Sequence, residues 1–200
     1  MNTSFLTSRT MSRHLIASAA IALSSVLTVA HAQSNSTMPT EQYRAEKSRI
    51  EGEHKSAKAQ CDSMKGNAKD VCVKEAKATR DVAIAELEQR NEPTPRHAEK
   101  VAKVKAESSY DVSKEKCDDL AGNDKDVCVK EAKAARDKGL ADAKMARASM
   151  DNRANTREVA RETAADKREA DYKVAVEKCD SLAGGAKTAC VNDAKARFGQ

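Results

Sequence analysis

Along this chain the apolar positions come in two patterns. The first is a continuous run from Leu15 to Ala30, preceded by Arg9, Arg13 and His14 and followed by Ala30-His31-Ala32. A basic flank, a short apolar run and small residues two apart predict a secretory signal segment cleaved near Ala32 rather than a membrane anchor, because the run is short for a span and contains Ser24, Ser25 and Thr28. Met11 is an alternative start to Met1. The second pattern fills the rest of the chain: long stretches of Ala, Lys, Glu and Arg, all strong helix formers, with valines and leucines gathered around pairs of cysteines.

Those pairs belong to one unit that occurs three times. It reads Cys61-Asp-Ser-Met-Lys-Gly66-Asn67-Ala-Lys-Asp70-Val-Cys72, then Cys117-Asp-Asp-Leu-Ala-Gly122-Asn123-Asp-Lys-Asp126-Val-Cys128, then Cys179-Asp-Ser-Leu-Ala-Gly184-Gly185-Ala-Lys-Thr-Ala-Cys190. Cysteines eleven apart on one straight helix would lie roughly 16.5 Å apart along its axis, whereas a disulfide needs Cα atoms about 4.4 to 6.8 Å apart. Glycine five residues after the first cysteine suits a left-handed helix stop. Asn67 and Asn123 then suit the cap of a second helix, with Asp70 and Asp126 in capping-box position. The expectation is three helical hairpins, stapled by Cys61 to Cys72, Cys117 to Cys128 and Cys179 to Cys190. Spacing alone does not select among the fifteen connectivities of six cysteines; the recurring turn chemistry favours the local one. The third unit, with Gly185 and Thr188 in place of the capping pair, should be the weakest.

In chain order, residues 33–40 form a polar tail. Helices are expected from Glu41 to Met64 and from Ala68 to Arg90, making a first hairpin over 41–90. The segment 91–96, containing Pro93 and Pro95, is a linker. Helices from His97 to Ala121 and from Asp124 to Met150 make a second hairpin over 97–150. A break at 151–156, where Asn155 and Glu158 have capping-box spacing, precedes a third hairpin over 157–200, with helices reaching Ala183 and running from Ala186 to Phe198. Packing residues are expected at Met64, Val71, Val73, Val112, Leu120, Val127, Val129, Val176, Leu182 and Val191. Duplication extends beyond the cysteines: Cys72-Val-Lys-Glu-Ala-Lys-Ala equals Cys128-Val-Lys-Glu-Ala-Lys-Ala, and Tyr110 before Cys117 parallels Tyr172 before Cys179, with His54 in the first copy. Units 56 and then 62 residues apart fit modules on unequal spacers better than a strict solenoid.

Composition sharpens this reading. Charged residues are 34% and aromatics 2% of the chain, with no Trp. After the signal segment Leu, Ile, Val and Phe make up only about a tenth of residues, against the roughly 20% below which chains tend to disorder. The predicted class is therefore all-α and elongated, with little hydrophobic core, and the staples are expected to carry much of the stability, about 3 kcal/mol each in the chain-entropy account. Export and an even cysteine count agree, since an oxidising compartment permits the disulfides that a small core needs. The expected location is periplasmic or secreted.

The formal charge of +5, about +3 once Arg9 and Arg13 are removed, is too small and too mixed for a nucleic-acid binder. No Cys-x-x-Cys, nucleophile elbow, Gly-rich phosphate loop or His-Glu-x-x-His motif occurs in the sequence, so neither catalysis, cofactor nor metal ligation is expected. Ion pairs at helical spacing are expected between Asp70 and Lys74, Asp126 and Lys130, and Glu169 and Lys173. Asp62, Asp118 and Asp180 oppose the helix dipole near a C-terminus, and Lys69, Lys125 and Lys187 recur where they could pair with them. Arg153, Arg157 and Arg161 form a basic stripe at spacing four. It reads first as a solvated face balanced by Glu158, Glu162 and Asp166, and second as a weak site for lipopolysaccharide or another anionic surface.

The repeated Cys-Asp-x-Leu-Ala-Gly-Asn-x-Lys-Asp-Val-Cys followed by Val-Lys-Glu-Ala-Lys-Ala resembles a group of small exported proteobacterial proteins rich in Ala and Lys, some of which carry a TolA-like or cell-envelope label. The hairpins are also similar in principle to twin Cys-x9-Cys helical hairpins, which carry two cysteines per helix. Neither likeness transfers a functional residue. The functional expectation is a non-enzymatic spacer, scaffold or protein-interaction module with protein partners in the cell envelope. The alternative is an envelope-stress factor that binds an anionic surface or metal ions.

Overall fold

The computed structural model describes residues 37–200, except residue 152 and the side chains of residues 152–155. The signal segment therefore lies outside the described residues. Six α-helices follow one another: α1 (Thr40–Cys61), α2 (Gly66–Asn91), α3 (Pro95–Lys116), α4 (Gly122–Asp151), α5 (Arg153–Cys179) and α6 (Gly184–Phe198), with a 3-10 turn at Cys117–Asp119. The architecture is all-α, and disulfides Cys61–Cys72, Cys117–Cys128 and Cys179–Cys190 join α1 to α2, α3 to α4, and α5 to α6, with Cα separations of 5.6, 5.7 and 5.8 Å.

Each helix packs chiefly on its neighbours in sequence; the α4–α5 packing is the most extensive, and the α2–α3 packing exceeds those of the stapled α1–α2 and α5–α6 pairs. Partners across every junction run antiparallel. Glu46 meets Arg90 at one end of the α1–α2 pair and Cys61 meets Cys72 at the other. Between α2 and α3, Glu86 meets Lys105 and Glu75 meets Lys116. Arg147 meets Glu99 across α3 and α4, and Lys144 meets Glu162 across α4 and α5. With every helix reversed on the last, the three stapled turns fall at one end of the helical array.

Alanine fills the core. Ala76, Ala85, Ala132, Ala134, Ala141, Ala143, Ala148, Ala170 and Ala194 are buried, joined by Ile50, Leu87, Val159 and the first cysteine of each unit. Side chains this small let helix axes approach closely but remove little apolar area apiece from water. Helices α3 and α4 approach closely at Gly139, where an added Cβ would lie 2.9 Å from the Ala106 Cβ.

Three expected core positions are wrong. Met64, Leu120 and Leu182 are 45%, 45% and 43% exposed, because each sits in the turn, past the last residue of the preceding α-helix, where no neighbouring helix covers it. The expected valines at 71, 73, 112, 127, 129, 176 and 191 are half-buried flanks of alanine-lined seams.

The proline segment is shorter than expected. Thr94 accepts a hydrogen bond from the His97 amide through Oγ1 at 3.2 Å, and Pro95 occupies the first turn of α3, where its missing N–H costs nothing. The His97 ring donates from Nδ1 to the Glu92 carbonyl at 2.7 Å, which closes the connection from the other side. No helix among the described residues is long and apolar enough to cross a membrane.

Candidate functional site

The stapled turn is built the same way three times. The preceding helix ends at or near the first cysteine, and that cysteine's carbonyl accepts the amide hydrogen three residues on: Met64 to Cys61, Leu120 to Cys117 and Leu182 to Cys179, each at 3.0 Å. The chain then extends, at Lys65 (φ −135°, ψ 157°) and Ala183 (φ −128°, ψ 159°), and a left-handed glycine turns it into the next helix. Gly66, Gly122 and Gly184 have φ of 58°, 57° and 56°. An added Cβ at these positions would meet nothing within 4 Å, so backbone conformation rather than crowding selects glycine.

This corrects the expected turn in two respects. Glycine begins the second helix instead of closing the first, so the first helices end three to five residues earlier than their sequence suggests. Nor does asparagine cap: the cap position of α2 is Lys65, with no side-chain cap bond, and Asn67 lies inside the helix with its Nδ2 buried and unpartnered. Asn123 is half-buried at the same place in the second unit, and Gly185 is exposed in the third.

The aspartate beside each first cysteine does find its lysine. Lys69 pairs with Asp62 at 3.0 Å, Lys125 with Asp118 at 2.8 Å and Lys187 with Asp180 at 3.0 Å. A carboxylate near a helix C-terminus is disfavoured by the dipole, and a cation held against it offsets that cost. The hydrogen bond from Lys125 holds the Asp118 carboxyl below its ordinary value, and the same bond raises the Lys125 ammonium.

A second repeated arrangement was not anticipated. Lys74, two residues past Cys72, pairs with Glu115, two residues before Cys117, and Glu75 pairs with Lys116. The same four positions recur one unit later, where Lys130 pairs with Glu177 and Glu131 with Lys178. The Lys-Glu after each staple therefore matches the Glu-Lys before the next, so the repeat specifies how units dock as well as how each folds. Two of the three expected pairs along single helices give way to these: Lys74 and Lys130 reach across to the next helix, while Glu169 with Lys173 forms as expected at 3.2 Å. The signal was legible in the sequence as Cys-Val-Lys-Glu and Glu-Lys-Cys, but only an antiparallel α2–α3 and α4–α5 packing brings the two together. At the outer edges the code is missing, since Ala59-Gln60 precedes Cys61 and Asn192-Asp193 follows Val191.

In the second and third units, the residue eight past the second cysteine meets the tyrosine seven before the first. Arg136 lies over the Tyr110 ring at 4.7 Å, and in the third unit Phe198 replaces it, meeting Tyr172 edge-on at 6.4 Å. Near the opposite end from the staples, Glu99 is only 8% exposed and is held between Lys103 at 2.6 Å and Arg147 at 2.7 Å. The hydrogen bond from Lys103, aided by Arg147, keeps its carboxyl below the ordinary range against the opposing effect of burial. Glu99 also lines a groove of about 740 Å³ along one face of α4 between α3 and α5. Leu140, Ala141, Ala148 and Ala170 line its apolar part, with charged side chains along the rim.

Of the basic stripe, Arg157 and Arg161 are exposed on α5, and among the described residues neither has an ion pair; the side chain of Arg153 lies outside the description. Its expected balancing acid Glu162 is bound to Lys144 across the helix seam.

What the fold and turns define is an all-α repeat protein whose three helical hairpins are closed by disulfides. These bonds place it in an oxidising, extracytoplasmic setting. Comparison with protein-family models, with curated proteins and with solved structures found no match to this chain.

Proposed function

We propose that this protein is a non-enzymatic scaffold and protein-interaction module of the cell envelope, exported by its N-terminal segment, cleaved near Ala32 and resident in the periplasm or secreted. The observation that carries the reading is the double use of the repeat: identical stapled turns fix each hairpin, and matched Lys-Glu and Glu-Lys pairs fix each hairpin on the next. Such a construction gives a defined frame with a core made mostly of alanine, which suits holding surfaces at set positions. The groove along α4, with Leu140, Ala141, Ala148 and Ala170 in its apolar part and charged side chains on its rim, is in keeping with a partner that presents an amphipathic helix. Photo-crosslinkers placed at Leu140 and Lys144 in intact cells test this. A discrete protein adduct at those positions, absent from a crosslinker at exposed Gly52, is expected; a chain that yields no adduct and stays monomeric in the envelope refutes it.

A second reading rests on Arg157 and Arg161, two exposed guanidiniums on one face of α5: binding of an anionic surface such as lipopolysaccharide. Titration calorimetry with lipopolysaccharide, copper and zinc separates the readings. Salt-sensitive heat with lipopolysaccharide that disappears in an Arg157→Ala, Arg161→Ala variant favours the second, and silence at low salt removes it.

A further inference from the structure

The three staples are chemically alike but do not hold equal things. In each, the first cysteine is more deeply buried than the second: Cys61, Cys117 and Cys179 are 0%, 0% and 1% exposed, while Cys72, Cys128 and Cys190 are half-buried. A thiolate must reach the sulfur it attacks. The second cysteine of each unit is therefore where a reductant enters.

What happens next depends on what else holds the helices. Breaking Cys117–Cys128 frees nothing, because α3 is also packed on α2 and α4 on α5. Breaking Cys61–Cys72 leaves α2 on α3, and α1 keeps buried Ile50 and the Arg90–Glu46 pair. At the other edge, α6 is the shortest helix, 15 residues, and its packing on α5 is the least extensive between successive helices. Its covered residues are Cys190, Val191, Ala194 and Phe198, of which only Ala194 is buried. No side chain caps its N-terminus. A helix of this length is marginal in water without packing.

We propose that the Cys179–Cys190 disulfide is a redox latch whose reduction releases α6 from α5 while α1 to α5 stay folded. The co-reactant is a thiol, and for complete opening a dithiol. Its thiolate attacks Cys190 Sγ, forming a mixed disulfide and expelling Cys179 as a thiolate that takes a proton from solvent. The second thiol of the reductant then displaces Cys190 as its leaving group. The dithiol ends as a disulfide, two electrons having passed to the protein, which gains two thiols. Release uncovers the face of α5 that carries Tyr172 and Cys179, so the exposed edge of the array changes with redox state.

The test uses the oxidised full-length exported protein. Dithiothreitol is added, aliquots are quenched with maleimides of two isotopic masses, and each cysteine is read by peptide mass spectrometry alongside amide hydrogen exchange. Cys179 and Cys190 should become labelled at least about tenfold faster than Cys117 and Cys128, with residues 186–198 losing protection in step while α2 to α5 retain theirs. A monothiol such as glutathione should leave its adduct on Cys190. Equal opening of the three disulfides, an adduct on Cys179, or a reduced third pair with α6 still protected overturns the proposal. A Cys179→Ser, Cys190→Ser variant gives an independent readout: it should keep native exchange in α1 to α4 and lose it in α6, and retained protection in its α6 likewise overturns the latch.

Discussion

Two glycines in helix interiors offer a direct test of how closely the helices approach. Gly52 in α1 faces open space, with nothing within 4 Å of an added Cβ, whereas a Cβ at Gly139 in α4 would lie 2.9 Å from the Ala106 Cβ and 3.8 Å from its Cα. Replacing glycine by alanine in a helix interior gains about 0.8 to 1 kcal/mol from propensity at either position. At Gly52 nothing opposes that gain. At Gly139 two methyl carbons would be roughly 0.6 to 1 Å inside the 3.5 to 4 Å optimum for carbon pairs. Ala106 has no torsion by which to move its Cβ away, so α3 and α4 must part, and overpacking of this kind costs about 1 to 3 kcal/mol. Gly52→Ala should therefore raise the melting temperature, and Gly139→Ala should leave it unchanged or lower it. The two variants should differ by about 1 to 3 kcal/mol, which is some 2 to 12 °C for a chain of this size. Helicity at 222 nm on heating reads both. Ala106→Gly in the Gly139→Ala background should show a favourable coupling, since it removes the clashing carbon. Equal stabilisation by Gly52→Ala and Gly139→Ala, with no coupling to Ala106, would refute the close α3–α4 approach and the alanine-spaced core with it.

Other consequences follow from burial and charge. Leu87 is fully buried and Leu120 is 45% exposed, so Leu87→Ala should cost about 2 to 4 kcal/mol in urea denaturation, whereas Leu120→Ser should stay within about 0.5 kcal/mol. Glu99 is held ionised by Lys103 and Arg147 below its ordinary value. Its contribution is present above the unfolded carboxyl value near 4.3 and is lost as pH falls through the lower folded value. Glu99→Gln should thus be less stable than the parent by about 1 to 2 kcal/mol at pH 7, with the gap closing in acid, and a pH-independent gap would contradict this assignment. Removing the cation by Lys125→Ala should move the titration of Asp118 upward in carboxyl NMR, and an unmoved midpoint would show that the pair across the second turn is not formed in solution.

Much of this protein is set by its sequence because its determinants are local. Helix-forming composition, a glycine at a fixed place between two cysteines, and an eleven-residue cysteine spacing that a straight helix cannot close together dictate three stapled hairpins. The lysine that answers each aspartate across the turn is local as well. The proline segment also reads directly from residue type, whereas the break expected over 151–156 does not: α4 reaches Asp151 and α5 is already helical from Arg153, ahead of the expected Asn155 cap. Tertiary packing decided the rest. Asparagine beside glycine looks like a cap, yet the cysteine carbonyl captures an amide first, and the helix then starts at glycine and leaves Asn67 inside it. Leucine and methionine look like core, yet Met64, Leu120 and Leu182 stand in turns past the helix ends, while alanines with no evident apolar signature fill seams that only exist once helices pack. The docking pairs Lys74 with Glu115 and Lys130 with Glu177 lie more than forty residues apart in sequence. Their partnership depends on the direction and register of one helix against the next, which no local propensity encodes.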